Sequence, residues 1–531
     1  MKKHARILCL VLALLLCGTL LAACGDTEKG DTVSQATSDS GNNGDNNTSV
    51  DPEAAWKDEN GKYIADISGT DYNGATITFL VCTVNETYNS ELVYNDYENP
   101  GPSTSNEKVP EVINKAYKER NEYVEELLGV TIKEEYVHDP NRTNSKMVQR
   151  IRTDNFAFTA TYQIVVPCLY DGASLAKEGA LINLYDLPDI QLDAPWWDQV
   201  FQEEMTMGGK LYFTIGDIGT VNKSATAALT FNKQMYSDYG MIEKYGGTIY
   251  DLVREGKWTL DLAIEMTRSI SQDMNDDGVI NYKDLVGWSG QLDDMWSLFY
   301  GSGSKLASTD TADGYPVLTA YTERSASIME KMQSLVQDDQ HYLSANDYFD
   351  EPGVDWPSIL LRDNFIAGQS LFYNGSMSTP LELGDMKDDF GLVPIPKGDE
   401  GQEQYFSLVN PWVSTCFGVP ISLAESDYGM ISDFLNAMGA ASINIVSPAY
   451  VEQCLEGMKS RDDDTVEMIE KYILPGRGCD IGMVYRWGGL DTMLQDMASL
   501  PSGSFASRYE AKATVAQNAL DETVAYFKKG K

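Results

Sequence analysis

Apolar and polar positions along this chain fall into two rhythms, one of period two and one of about 3.6. ATITFLV (75–81) is a short apolar run, and TIKEEYV (131–137) alternates as a half-exposed strand does. Between them, PEVINKAYKERNEYVEELLG (110–129) puts Ile113, Tyr117, Val124, Leu127 and Leu128 on one stripe, with Pro110 near the first turn and Gly129 as the stop. Strand, helix, strand in this order predicts a right-handed crossover. The sequence repeats the alternation, with helix MVQRIRTDN (147–155), strand YQIVVP (162–167) and then ASLAKEGALINL (173–184). The expected class is therefore α/β, with sheets flanked by helices.

Further along, KLYFTIGD (210–217) and ALTFNKQMYSDYG (228–240) read as strands, and GKWTLDLAIEMTRSIS (256–271) as a helix capped by Thr259. RDNFIAGQSLFYNGS (362–376) reads as helix then strand, and DFGLVPIPKG (389–398) and STCFGVPIS (414–422) as strands. The last hundred residues are mainly helical, with stripes such as Met468, Ile469, Tyr472 and Ile473. No internal repeat is present.

The N-terminus changes the picture. MKKHAR leads into the apolar run ILCLVLALLLCGTLL and then LAAC, the layout of a cleaved export signal over residues 1–23. Leu21, Ala22, Ala23 and Cys24 resemble the lipobox of bacterial lipoproteins, which implies that Cys24 is lipidated and becomes the mature terminus. More than one acyl chain is what stable anchoring requires. The stretch that follows, to residue 55, begins GDTEKGDTVSQATSDSGNNGDNNTSV and has too few apolar side chains to fold, so it reads as a flexible leash. The expected location is the extracellular face of the cell membrane.

Charge and composition narrow the partners. The 531 residues carry 80 acidic and 40 basic side chains, and loss of Lys2, Lys3 and Arg6 with the signal takes the net charge from −40 to −43. A phosphate backbone is repelled by such a surface, which argues against nucleic acid. Beyond Cys9, Cys17 and Cys24, five cysteines remain at irregular spacing, which is neither a disulfide framework nor a zinc site. With three histidines in all, a His-based metal centre or triad has little to draw on.

One motif is specific. In DMNDDGVINYKD (273–284), Asp273, Asn275, Asp277, Val279, Asn281 and Asp284 occupy the first, third, fifth, seventh, ninth and twelfth positions, with Gly278 sixth. That is the oxygen-ligand pattern of an EF-hand Ca2+ loop, and an Asp at the twelfth place shortens the last ligand. An Asx-rich turn without an ion uses the same residues. If bound, calcium here serves as a staple for an acidic connection.

A wider set of motifs, in order, resembles the extracellular solute-binding lipoproteins of bacterial ABC importers, in particular the carbohydrate-type group that includes maltose-binding protein. They are KAYKERNEYVEELLGVTI, VVPCLYDGASLAKEGALINL, PWWD (195–198), TFNK (230–233), GKWT (256–259), FIAGQSLFYNG (365–375), GLVPIPKG (391–398) and PAY (448–450). The resemblance implies a two-lobed fold with the ligand in the cleft between lobes. It implies chain crossings near 228–231, 408–412 and 439–443, hence lobes of 56–228 plus 409–440 and 229–408 plus 441–531. It also implies that the chain hands a carbohydrate to ABC transporter permease subunits.

A sugar site wants aromatic platforms and a few polar groups that bond hydroxyls in pairs. By resemblance the candidates are Tyr170 and Asp171 past strand YQIVVP, Tyr373 and Asn374 at the end of SLFYNG, Trp412 at the second crossing, and Arg486 and Trp487 in DIGMVYRWGGL. A core role competes for each, and most strongly for Trp196 and Trp197 of PWWD. Two departures from the family, Ser376, Met377 and Ser378 in place of a tryptophan and no glutamate near Ala225, point away from maltose. A monomer that is not an enzyme is expected. The alternatives are a calcium-binding surface enzyme acting on polysaccharide, which needs a carboxylate pair or a positioned base, and a receptor for a sensor system.

Overall fold

The first sheet grows from the crossover. Strand β1 (Ala75–Thr83) runs into helix α1 (Glu111–Leu128) and then β2 (Val130–His138), which pairs in parallel with β1 from Ala75 opposite Val130 to Thr83 opposite His138. In this computed structural model residues 53–68, 71–83, 111–139, 141–352, 357–456, 463–499 and 504–529 are described. The signal, Cys24 and nearly all of the leash lie outside them.

Gly129, at a φ of 61°, turns the chain from α1 into β2, a conformation a side chain resists. The stripe of α1 buries Ile113, Tyr117, Val124 and Leu128 with Arg120, whose Nη1 donates to the carbonyl of Ile218 at 2.8 Å. Helix α2 (Lys146–Ala157) leads to β3 (Ile164–Val166), which pairs in parallel with β1, and α3 (Leu169–Lys177) follows. The segments 210–217 and 414–422, expected as strands, instead join through single bridges, Thr214 with Phe417, Val165 with Gly418 and Cys168 with Thr415. Pro420 has no amide with which to prolong the ladder.

Helix α4 (Gln199–Met205) precedes the second sheet, which comprises β4 (Ala227–Asn232), β5 (Ser271–Gln272), β6 (Leu285–Gly290), β7 (Tyr342–Ser344), β8 (Ser370–Ser376) and β9 (Phe390–Val393). Their order is β9-β4-β8-β6-β5, and β7 also pairs with β6. Every residue of β4 is buried between its antiparallel neighbours β8 and β9. The strand ends at Asn232, whose side chain accepts the amide of Met235 at 2.9 Å and starts a helix at Lys233, so the second half of 228–240 is helical. Helices α5 (Leu260–Thr267), α6 (Asp294–Gly301) and α7 (Pro357–Ile366) accompany this sheet, and Thr259 caps α5 as expected.

Helix α8 (Tyr428–Glu456) runs through the expected crossing at 439–443. Its Asn436, Ser442 and Asn444 bond Asp189, Arg120 and Tyr63 of the first lobe. By Thr465 the chain has reached the second lobe, where that hydroxyl lies 2.7 Å from the hydroxyl of Tyr250. Three helices close the chain, α9 (Ile481–Tyr485), α10 (Leu490–Ser499) and α11 (Phe505–Lys529). None of the described helices is long and apolar enough to cross a membrane.

Candidate functional site

The other two crossings run side by side. Thr226 pairs antiparallel with Val409, and Asn410 donates its amide to the carbonyl of Ala225 at 2.9 Å. Ser407 and Leu408 pair in parallel with Arg477 and Gly478, which brings a third segment to the junction.

Two of the sequence candidates, Tyr170 and Arg486, meet in a seam near this junction, and a third, Trp412, lies on it. Tyr170, in the first turn of α3, carries the guanidinium of Arg486 over its ring at 4.9 Å. Arg486 sits at the end of α9 with a φ of 54° and donates Nε to Asp491 of α10 at 2.8 Å. Burial, with the charge of Asp491 behind it, pushes the hydroxyl of Tyr170 far above the usual tyrosine range, so it faces the seam as a neutral donor. Trp412, at the crossing, is 42% exposed and lies over Arg142, whose guanidinium is 5.2 Å from the ring centre.

The other candidates do not present themselves to a ligand in this arrangement. Asp171 is fully buried and accepts the amides of Asn144 and Ser145 at 2.6 and 3.2 Å, which anchors the loop before α2. Burial raises its carboxyl, and those amides pull the other way. Trp487 is 1% exposed, stacks on Tyr485 at 5.3 Å and donates its indole N–H to Thr523 of α11 at 3.0 Å, so it is core rather than platform. Its expectation as a stacking ring is corrected by the docking of α11 over it. Tyr373 packs on Phe365 of α7 at 5.7 Å. Asn374 donates to Ser297 of α6 at 3.0 Å, and its Oδ1, also buried, has no hydrogen-bond partner.

Sequence reasoning missed Arg142, Asp293, Asn410 and Gln495. Asp293 immediately precedes α6 without making a side-chain capping hydrogen bond to it, and Gln495 of α10 donates to it at 2.6 Å while Asn410 also bonds it. Burial pushes its carboxyl above the ordinary range against those two amides. One carboxylate thus ties α6, α10 and a crossing together. The available signal was weak: Asp293 and Asp294 follow the exit of a strand, and Asn410 sits two residues before the candidate Trp412.

The acidic loop lies between β5 and β6, which pair antiparallel at Gln272 and Leu285. Its turns match the expected cation site in part: Asp273 accepts the amide of Gly278 at 2.7 Å, and Gly278 has a φ of 83°. At the twelfth position Asp284 is buried and commits both oxygens to the amides of Met274 and Asn281, each at 2.9 Å. Among the described residues no three acidic, histidine or cysteine side chains converge on a point suited to a metal ion. The fit to calcium is therefore incomplete.

A hollow of about 380 Å³ is lined among others by Tyr185, Asp193, Gln202, Glu203, Thr309 and Gly314. None of the sequence candidates borders it.

No family model matches the chain, and no curated protein matches it in sequence. Among solved structures, UspC of M. tuberculosis aligns over 84% of this chain and 100% of its own with a TM-score of 0.50 at 12% identity. The chain shares the fold of that protein, a mixed α/β architecture with sheets flanked by helices. Also similar are the ABC substrate-binding protein Lmo0181 of Listeria monocytogenes, in complex with cycloalternan (TM-score 0.48, 11% identity, 86% of this chain, 99% of that one), and the sugar transporter RHE_PF00321 of Rhizobium etli in an open conformation (0.49, 13%, 86%, 100%). At such identities likeness speaks to architecture, and the site must be argued from its own residues.

Proposed function

We propose that this chain is a carbohydrate receptor of an ABC importer, held outside the cell by a lipid on Cys24, which closes two lobes on its solute and passes it to permease subunits. The reading is carried by the paired crossing at Thr226 and Val409, with the exposed ring of Trp412 beside it and hydroxyl-binding groups from both lobes around it. Solute-binding lobes of this kind hinge about such segments. Opening separates Tyr170 from Arg486 and frees a phenol, a guanidinium and the Asp293 carboxyl to bond sugar hydroxyls.

Calorimetry of the protein against a glycan panel, with product analysis of each mixture, tests the proposal. Reversible binding of an oligosaccharide that is recovered intact is expected. Cleavage products would instead favour the surface enzyme.

Calcium in the loop 273–284 is a separate part of the proposal. Asp273, Asn275, Asp277, the carbonyl of Val279, Asn281 and Asp284 would hold it, with Asp284 giving up one of its amide hydrogen bonds. The ion would neutralise clustered carboxylates and stiffen the β5–β6 connection.

A further inference from the structure

Arg142 is 3% exposed, yet its Nε and Nη2 have no hydrogen-bond partner, and Nη1 reaches only the sulfur of Cys82 at 3.6 Å. Among the described residues it forms no ion pair. Two carboxylates near Cys82, Asp139 and Asp171, are committed elsewhere. Asp139 accepts the amides of Asn141 and Lys146 and the side-chain amide of Asn141, and Asp171 accepts those of Asn144 and Ser145. A buried guanidinium without a bonded anion is costly, so natural chains rarely keep one idle.

Position and shape say what it awaits. Arg142 lies at the C-terminal edge of the first sheet, where Cys82 is the penultimate residue of β1 and Cys168 follows β3 with its thiol donating to the carbonyl of Arg142 at 3.1 Å. Sheets of this class place ligands beyond that edge. The unpartnered pair, Nε and Nη2, is the side-on fork of the guanidinium, whose two parallel N–H groups match the two oxygens of a carboxylate. Trp412 covers the guanidinium with one face and reaches solvent along the seam.

We propose that Arg142 is the anion-recognising group of the seam and that the solute is an acidic glycan, with a uronate carboxylate on the Nε and Nη2 fork and a neighbouring sugar ring against Trp412. The inference rests on the receptor reading and adds the substrate class. A single buried cation in a surface of −40 would also reject acidic sugars whose carboxylate is misplaced, because the rest of the protein repels them.

Calorimetry of the full chain in detergent against trigalacturonate and trimannuronate, their methyl esters, and the neutral maltotriose and cellotriose is the test. At least one acid should bind about tenfold or more tightly than its own ester, since a charge-assisted bidentate pair is worth that much. Arg142→Gln should erase the difference, and Arg142→Lys should keep part of it. The ester comparison is made on the unaltered protein and decides even if Arg142→Gln does not fold. Equal affinity for acid and ester, or neutral sugars bound best, overturns the acidic-glycan inference and leaves the receptor standing. Failure of every sugar to bind overturns both.

Discussion

Asp294 of α6 accepts hydrogen bonds from the hydroxyl of Tyr342 at 2.9 Å and the indole of Trp288 at 3.2 Å, and burial pushes its carboxyl up to about 7. In the unfolded chain an aspartate titrates near 3.9, so the fold binds this proton more tightly. Its stabilising contribution is complete below about pH 4 and is lost as pH rises through about 7. Asp294→Asn should therefore flatten the fall in stability between about pH 4 and pH 7 and raise stability at the upper end by on the order of 1–3 kcal/mol, read by urea denaturation. A pH slope unchanged in the variant would contradict this. Two tryptophans separate in the same way. Trp487→Ala should cost about 3–5 kcal/mol, because it empties a filled core site, whereas Trp412→Ala should stay within about 1 kcal/mol of the parent while weakening glycan binding severalfold. Equal thermal losses in the two would place Trp412 in the core as well.

At the scale of elements, side chains from distant segments hold the loops that border the seam. Asp171, at the start of α3, serves the amides before α2, so Asp171→Ala should cost about 1–2 kcal/mol and speed amide exchange at Asn144 and Ser145 ahead of the rest of the lobe. Uniform acceleration across the lobe would show that the carboxylate supports the whole core instead. The acidic loop between β5 and β6 makes a second element-scale prediction. Calcium at about 1 mM should raise the melting temperature and excess chelator should lower it, while the preferred glycan stays the same. A melting curve indifferent to both would return the loop to an ion-free Asx turn.

For the whole molecule, the consequence of the paired crossing is motion. Tyr170 and Arg486 touch across the seam, so the arrangement is closed at that point. Solution scattering should show a radius of gyration that falls on addition of a bound glycan, and Arg486→Ala should shift the ligand-free protein toward the larger value. A radius that never changes would remove hinge closure from the mechanism. Glu204 of α4 also helps seat this junction, accepting the hydroxyl of Tyr300 and the ammonium of Lys305, each at 2.7 Å.

Period alone was enough to place β1, α1, β2 and β3 in an α/β sheet, and Thr259 as the cap of α5, because these features depend on neighbours within a few residues along the chain. Which aromatic ring meets solvent was decided elsewhere. Trp412 and Trp487 look alike in sequence, and only the docking of α11, which supplies Thr523, buries the second. Asp171 looked like a ligand until α2 arrived beside it, and Arg142 carried no signal because its idle nitrogens are defined by partners that are missing in space, not along the chain. Local pattern thus determined the elements and their succession. Burial, pairing and vacancy of polar groups were left to tertiary structure, since each depends on atoms brought together from tens to hundreds of residues apart.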